Sequence, residues 1–203
     1  MKSILVKLSL FFLVMVSLIS CQKEVSDDII GGNANSPLLG TWKFSYLDVK
    51  AKIYVVTTDG VDEEKAITLT NYTTTNNKGN AVFTASDFMS EGLSYDINTI
   101  SNVYFYTNGV LEDSLIFPFQ VSVPPISASG KYQLVGTDSV YFKGGFIEAG
   151  LDSMATKSIG YKFFIAGNKL TLTTKFKYVY NEIDQGVNYL IDQNADIKVV
   201  MQK

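Results

Sequence analysis

From residue 37 onward, apolar and polar positions alternate along the chain. Leu170, Leu172, Phe176, Tyr178 and Tyr180 fall on one side of a run whose other side carries Thr171, Thr173, Lys175 and Lys177. That is the period-two pattern of a half-buried strand. Trp42, Phe44 and Tyr46 alternate with Lys43 and Ser45, and Ile197, Val199 and Met201 with Lys198, Val200 and Gln202. Tyr161, Phe163 and Ile165 repeat the pattern, blurred by Phe164. The runs are filled with Thr, Tyr, Val, Ile and Phe, the residues that suit a pleated surface. Turn chemistry separates them: Asp59-Gly60, Lys78-Gly79-Asn80, Asn108-Gly109, Pro124-Pro125, Gly144-Gly145 and Gly167-Asn168. The pattern predicts strands near 41–58, 65–74, 80–86, 94–107, 112–123, 130–143, 158–166, 169–180 and 195–202. Helical character is confined to single turns near Ser36–Leu39 and Asp152–Thr156. Eight or nine consecutive antiparallel strands must hide their edges, either in an up-and-down β-barrel or in a two-sheet β-sandwich.

The first 21 residues are of another kind. Lys2 and Lys7 precede or flank an apolar run from Leu8 to Ile19, broken only by Ser9 and Ser17. A run of about 12 residues fits a secretory leader and is too short for the ~20 needed to span a bilayer. It ends at Leu18-Ile19-Ser20-Cys21, and Cys21 is the only cysteine in the chain. These four residues resemble a bacterial lipobox, which implies cleavage before Cys21 and acylation of its thiol and new amine. Each buried methylene contributes ~0.8 kcal/mol, so two or three acyl chains anchor stably where one does not. Gln22-Lys23-Glu24 and Asp27-Asp28 resemble the signal that sends Bacteroidetes-type lipoproteins to the outer face of the outer membrane. A solvated linker accounts for the same residues. The expected organisation is a signal peptide over 1–20, a lipidated tether over 21–36 with a reach of about 20 Å, and one β domain over 37–203.

Composition removes much chemistry. The 203 residues include no histidine, and all 17 basic residues are lysine. Ser-His-Asp and Cys-His catalysis therefore lack their base. Histidine-ligated metal and haem sites lack their ligand, and no arginine clamp for phosphate exists. The net charge is −3, and loss of residues 1–20 removes two lysines and no acid. Such a balance argues against nucleic acid and against electrostatic membrane docking.

Leu38-Leu39-Gly40-Thr41-Trp42-Lys43-Phe44 resembles the G-x-W opening of lipocalin-like proteins, and Gly167 to Thr173 is similar to the late hairpin of small bacterial lipocalin-like lipoproteins. Gly130-Lys131-Tyr132 is compatible with a middle strand of that family. The resemblance covers mainly 37–46 and 130–202, leaving 47–129 unread. It implies a barrel of eight or nine strands with Trp42 plugging its closed end. True lipocalins stack an arginine on that tryptophan; here a lysine such as Lys198 is the available cation. Trp42 is in any case a large apolar anchor.

Other constellations carry less. Asp192-x-Asn194-x-Asp196 opens like a calcium loop, but Ile197 stands where glycine is needed and no closing glutamate follows. Asp62-Glu63-Glu64 reads as a solvated turn, and Glu112-Asp113 and Glu148/Asp152 are carboxylate pairs of a kind any acid-rich chain offers. Gly144-Gly145 lacks the continuation of a phosphate loop. No metal or cofactor is expected. The twelve tyrosines are as easily ordinary sheet filling as ligand contacts. The leading expectation is a lipid-anchored, non-catalytic protein of the outer membrane enclosing a small apolar or amphipathic molecule. By strand parity the lining would be Phe44, Tyr46, Tyr104, Tyr106, Tyr132, Phe163, Phe176 and Tyr178. The alternatives are a surface glycan-binding or adhesion accessory, whose aromatics would lie in an exposed row, and a structural envelope protein with a protein partner.

Overall fold

The computed structural model describes residues 35–59, 62–143, 158–184 and 187–203, with the backbone alone at 58 and 59. The signal peptide over 1–20, Cys21, the tether up to residue 34, Gly144-Gly145, Glu148 and the turn expected at Asp152–Thr156 lie outside the described residues.

The architecture is all-β and antiparallel. Among the described residues nine strands follow in order: β1 (Gly40–Asp59), β2 (Asp62–Thr73), β3 (Thr75–Phe83), β4 (Asp87–Thr107), β5 (Val110–Val135), β6 (Ser139–Phe142), β7 (Ile159–Ala166), β8 (Lys169–Asp184) and β9 (Val187–Gln202). They form one sheet, and pairing of β9 back onto β1 closes it in a ring. β2 and β3 share one position between β1 and β4. β3 pairs with the start of β1 (Gly40–Lys43), and β2 with its remainder (Asp48–Asp59).

The ring is uneven in height. β6 and β7 join β5 to β8 only near the base, through Tyr132–Val135, Ser139–Phe142 and Ile159–Ala166. The other strands continue as an arm six strands wide. Across it one register row runs Tyr180, Ile191, Val55, Ala66, Phe105 and Asp113. The β1–β2, β4–β5 and β8–β9 hairpins share the far end of the arm, and the 20 residues of β1 extend about 65 Å at ~3.3 Å per residue.

Three segmentations differ from the sequence reading. Pro124-Pro125 is not a turn: β5 runs through it, and the register shift between Leu93↔Ile126 and Tyr95↔Val123 absorbs both prolines as a bulge. The strand expected over 130–143 is instead the end of β5, a turn at Gly136, and the four-residue β6. Lys78-Gly79-Asn80 likewise lies within β3, at shifts against β4.

The core fills the base. Phe142, fully buried, packs edge-on against Phe88 (4.9 Å between ring centroids) and Tyr161 (5.7 Å), with Phe83 and Tyr132 at 6.2 and 6.3 Å. Trp42 is buried beside them, and its indole Nε1–H donates to the Leu38 carbonyl at 2.6 Å. The cation on Trp42 is Lys203, with Nζ 4.5 Å from the ring, and not Lys198, which lies over Tyr46 at 5.5 Å. Lys203 also donates to the Leu39 carbonyl at 3.0 Å, which ties the residue after β9 to the one before β1.

Candidate functional site

The residues expected to line a ligand cavity divide among three places. Phe44, Tyr132 and Phe176 are buried in the packed core. Phe163 and Tyr178 are partly buried against it. Tyr46, Tyr104 and Tyr106 lie on the opposite, outer face of the sheet, which corrects the parity assigned to them. The register shift between Phe44 and Tyr46 flips the parity of β1, so that Leu47, Val49 and Ala51 point inward after it. On β4, Val103 is buried and Tyr104 pairs with Ile67, which in turn faces Tyr54. Tyr104 and Tyr106 therefore share the outer face with Tyr54.

That outer face is built by strand registry. One row crosses the arm as Val179, Asp192, Tyr54, Ile67, Tyr104 and Ser114; the row beside it carries Lys177, Asn194, Lys52, Leu69, Asn102 and Ile116. Tyr54, Tyr104 and Tyr106 are each half-exposed. Lys52 Nζ sits 4.7 Å from the centre of the Tyr54 ring and Lys65 Nζ 5.2 Å from that of Tyr106.

Two shallow open concavities lie side by side over β1, β9 and β8. The first, about 550 Å³, is lined by Lys52, Tyr54, Val56, Lys177, Leu190, Asp192 and Asn194. The second, about 480 Å³, continues it toward the base between Lys50, Lys175, Asp196 and Lys198, with Asp48 and Lys162 at its margins. Within the first, Asn194 donates to Asp192 at 2.8 Å, and Lys177 stands 3.8 Å from the same carboxylate. Lys175–Asp196 (3.9 Å) and Lys198–Asp48 (3.6 Å) are the matching pairs of the second. Such exposed pairs contribute little to stability.

Asp192, Asn194 and Asp196 lie on the extended strand β9. Alternate residues there are ~6.6 Å apart, and Asp192 and Asp196 each face a lysine. They do not converge as loop ligands do. Asp62 and Glu63, at the start of β2, are tied to Asn108 of the β4–β5 turn: Asn108 Nδ2 donates to Asp62 at 2.9 Å, and the Glu63 amide donates to Asn108 Oδ1 at 3.0 Å. Three carboxyls elsewhere are held below the ordinary aspartate range. Asp87 is lowered chiefly by its hydrogen bond from Lys131, Asp96 by that from Asn76, and Asp138 by that from Lys162.

The chain matches no family model, no curated protein and no solved structure.

Lys52 and Tyr54 were not among the candidates for binding, and Asp192 and Asn194 entered only through a calcium-loop spacing that the sequence does not complete. Part of the signal was present: the alternation over 169–180 puts Lys175 and Lys177 on the polar side of β8. The missing step was registry, which alone sets β8, β9 and β1 side by side.

Proposed function

We propose that this chain is an envelope lipoprotein, anchored to the outer membrane by acyl chains on Cys21, and that it binds saccharide without catalysis on the outer face of its arm. The observation that carries the binding half is the half-exposed set Tyr54, Tyr104 and Tyr106 on one sheet face, with Asn102, Asn194 and Asp192 between and beside them. Ring faces suit the C–H side of a sugar, and amides and carboxylates meet its hydroxyls. Of the eight residues expected to line an enclosed apolar or amphipathic ligand, Phe44, Tyr132 and Phe176 have their surface taken up by core packing, and Tyr46, Tyr104 and Tyr106 lie on the outer face. That moves the weight from the interior to the outside. Phe119, Val121 and Tyr178, partly buried on the inner side above the base, favour a second reading in which an amphipathic molecule lies along that inner face.

The anchor rests on the residues around Cys21. In the native host, Cys21→Ala should move the protein from the membrane to the soluble fraction, and its retention there would refute the anchor. For binding, full-length protein in neutral detergent is tested against immobilised polysaccharides. Tyr54→Ala and Tyr104→Ala should each weaken retention roughly tenfold, about 1.4 kcal/mol. Retention of no polysaccharide, with capture of a hydrophobic fluorophore that Tyr178→Ala abolishes, would replace this reading with the second.

A further inference from the structure

The trough over β1, β9 and β8 has a charge opposite to that of the chain. Its two concavities are lined by six lysines and three aspartates, whereas the whole protein carries a net charge of −3. One of the six, Lys162, is neutralised outside the trough by Asp138 at 2.8 Å, which still leaves an excess of two positive charges. Lys52 has no carboxylate partner among the described residues; its ammonium rests on the Tyr54 ring.

Spacing gives this excess a direction. Lys50 and Lys52 on β1, and Lys175 and Lys177 on β8, repeat at every second residue, about 6.6 Å apart along the strand. Between the two lysine lines runs β9, with Asp192, Asn194 and Asp196 on the same face. A ligand lying along the strands thus meets cations on both flanks and hydrogen-bond acceptors along the middle. The phosphodiester of a lipid or a nucleic-acid backbone carries the charge but has no hydroxyl of its own to donate to those aspartates. A chain of uronic acids carries both complements: carboxylates for the lysines, and ring hydroxyls that donate to Asp192 and Asp196. When Lys52 swings from the Tyr54 ring to a ligand carboxylate, that ring is left as an apolar floor for a sugar face.

We infer that this trough selects acidic polysaccharide of the uronate type, with Lys52 and Lys177 gripping its carboxylates and Asp192 and Asn194 its hydroxyls. This rests on the saccharide reading and names the class of sugar.

The test uses full-length protein in neutral detergent with four probes: polygalacturonate, neutral dextran, phosphatidylglycerol vesicles and double-stranded DNA. Polygalacturonate should bind, weaken steeply as salt rises from 50 to 500 mM, and weaken at least tenfold in Lys52→Gln/Lys177→Gln. Lys131→Gln, at the base, should leave it unchanged. Both lysines are on the surface, and near-UV circular dichroism verifies that the double variant keeps its packing. Dextran binding that depends on Tyr54 and Tyr104, with polygalacturonate no tighter and indifferent to the lysines, overturns this inference and leaves the saccharide reading standing. Binding of neither polysaccharide overturns both. Lysine-dependent capture of vesicles or DNA without polygalacturonate overturns the inference in favour of a different anion.

Discussion

Single residues at the base show how tightly the closed end of the ring is specified. Gly79 has a φ of +96°, and a Cβ placed there would lie 2.6 Å from the carbonyl oxygens of Glu91 and Gly92. Both objections concern backbone, which cannot rotate away as a side chain does. Gly79→Ala should therefore destabilise by about 3 kcal/mol or more, combining the unfavourable φ with overpacking. Gly160 is the control: its φ is ordinary for an L-residue, and an added Cβ would meet only Tyr141 Cδ2 at 3.8 Å and a carbonyl at 4.0 Å. Urea midpoints should fall sharply for the first variant and by little for the second; equal midpoints would show that β3 and β4 can move apart freely. Lys203 makes a softer contribution. Lys203→Met keeps most of the stem but loses the ammonium over Trp42 and its hydrogen bond to Leu39, a loss of about 1–2 kcal/mol. The midpoint of Lys203→Arg should stay near that of the parent, since guanidinium supplies the same cation and donors.

At the scale of elements, the long strand β5 carries the clearest risk. Residues 115–121 (LIFPFQV) form an uncharged apolar stretch, and over this stretch β5 pairs with β4 on one side. Pro118 sits in unbroken register opposite Ile100. Proline has no N–H to donate, and within a paired strand it is tolerated where its ring nitrogen faces the unpaired side. There it interrupts the donors that another strand would need. Pro118→Thr should raise the rate of aggregation on mild heating several-fold, read by light scattering and thioflavin fluorescence, with little change in urea midpoint; an unchanged rate would mean that this edge is protected by something else. Strand existence was legible because alternation is local: 169–180 and 195–202 each declare a buried side. Parity across bulges was not. Trp42, Phe44 and Tyr46 look continuous in sequence, yet one extra residue sends Tyr46 outward. In Val103-Tyr104-Phe105-Tyr106 both sides of the strand are apolar, so only packing against the other strands could choose the inner one. Pro124-Pro125 carries the same lesson, since a bulge on a strand paired along one side tolerates what a central strand forbids. The trough was hidden for a third reason: its residues come from three strands that only the closure of β9 onto β1 brings together.

The whole molecule couples this packing to pH. Tyr72 on β2 and Tyr161 on β7 are buried, and burial pushes both phenols well above their ordinary value, with Tyr95 adding to the effect on Tyr72. In the unfolded chain each ionises near pH 10. Below that pH both states are protonated and the contribution to stability is complete. Above it the unfolded state sheds two protons that the folded state keeps, so stability falls as pH rises. The slope approaches about 2.7 kcal/mol per pH unit for two groups. The carboxyls act in the opposite sense. Asp87, Asp96 and Asp138 are lowered by their hydrogen-bond partners, so their contribution is present above an unfolded value of about 3.9 and is lost as pH falls through the lower folded values. These carboxyls are exposed to solvent, which screens their pairs and makes the acid limb shallow. The alkaline limb should be steep, because it reports on the base, where ionising either phenol means placing a charge among packed rings. Urea midpoints measured from pH 3 to 11.5 should therefore form an asymmetric plateau. Tyr161→Phe, which removes one ionisable group and keeps the ring, should lower the alkaline slope by up to one proton's worth, about 1.4 kcal/mol per pH unit, while tyrosinate absorbance should show the buried phenols ionising only as the protein unfolds. A slope unchanged by that substitution, or phenols that titrate near pH 10 in the folded protein, would mean that water reaches the centre of the base.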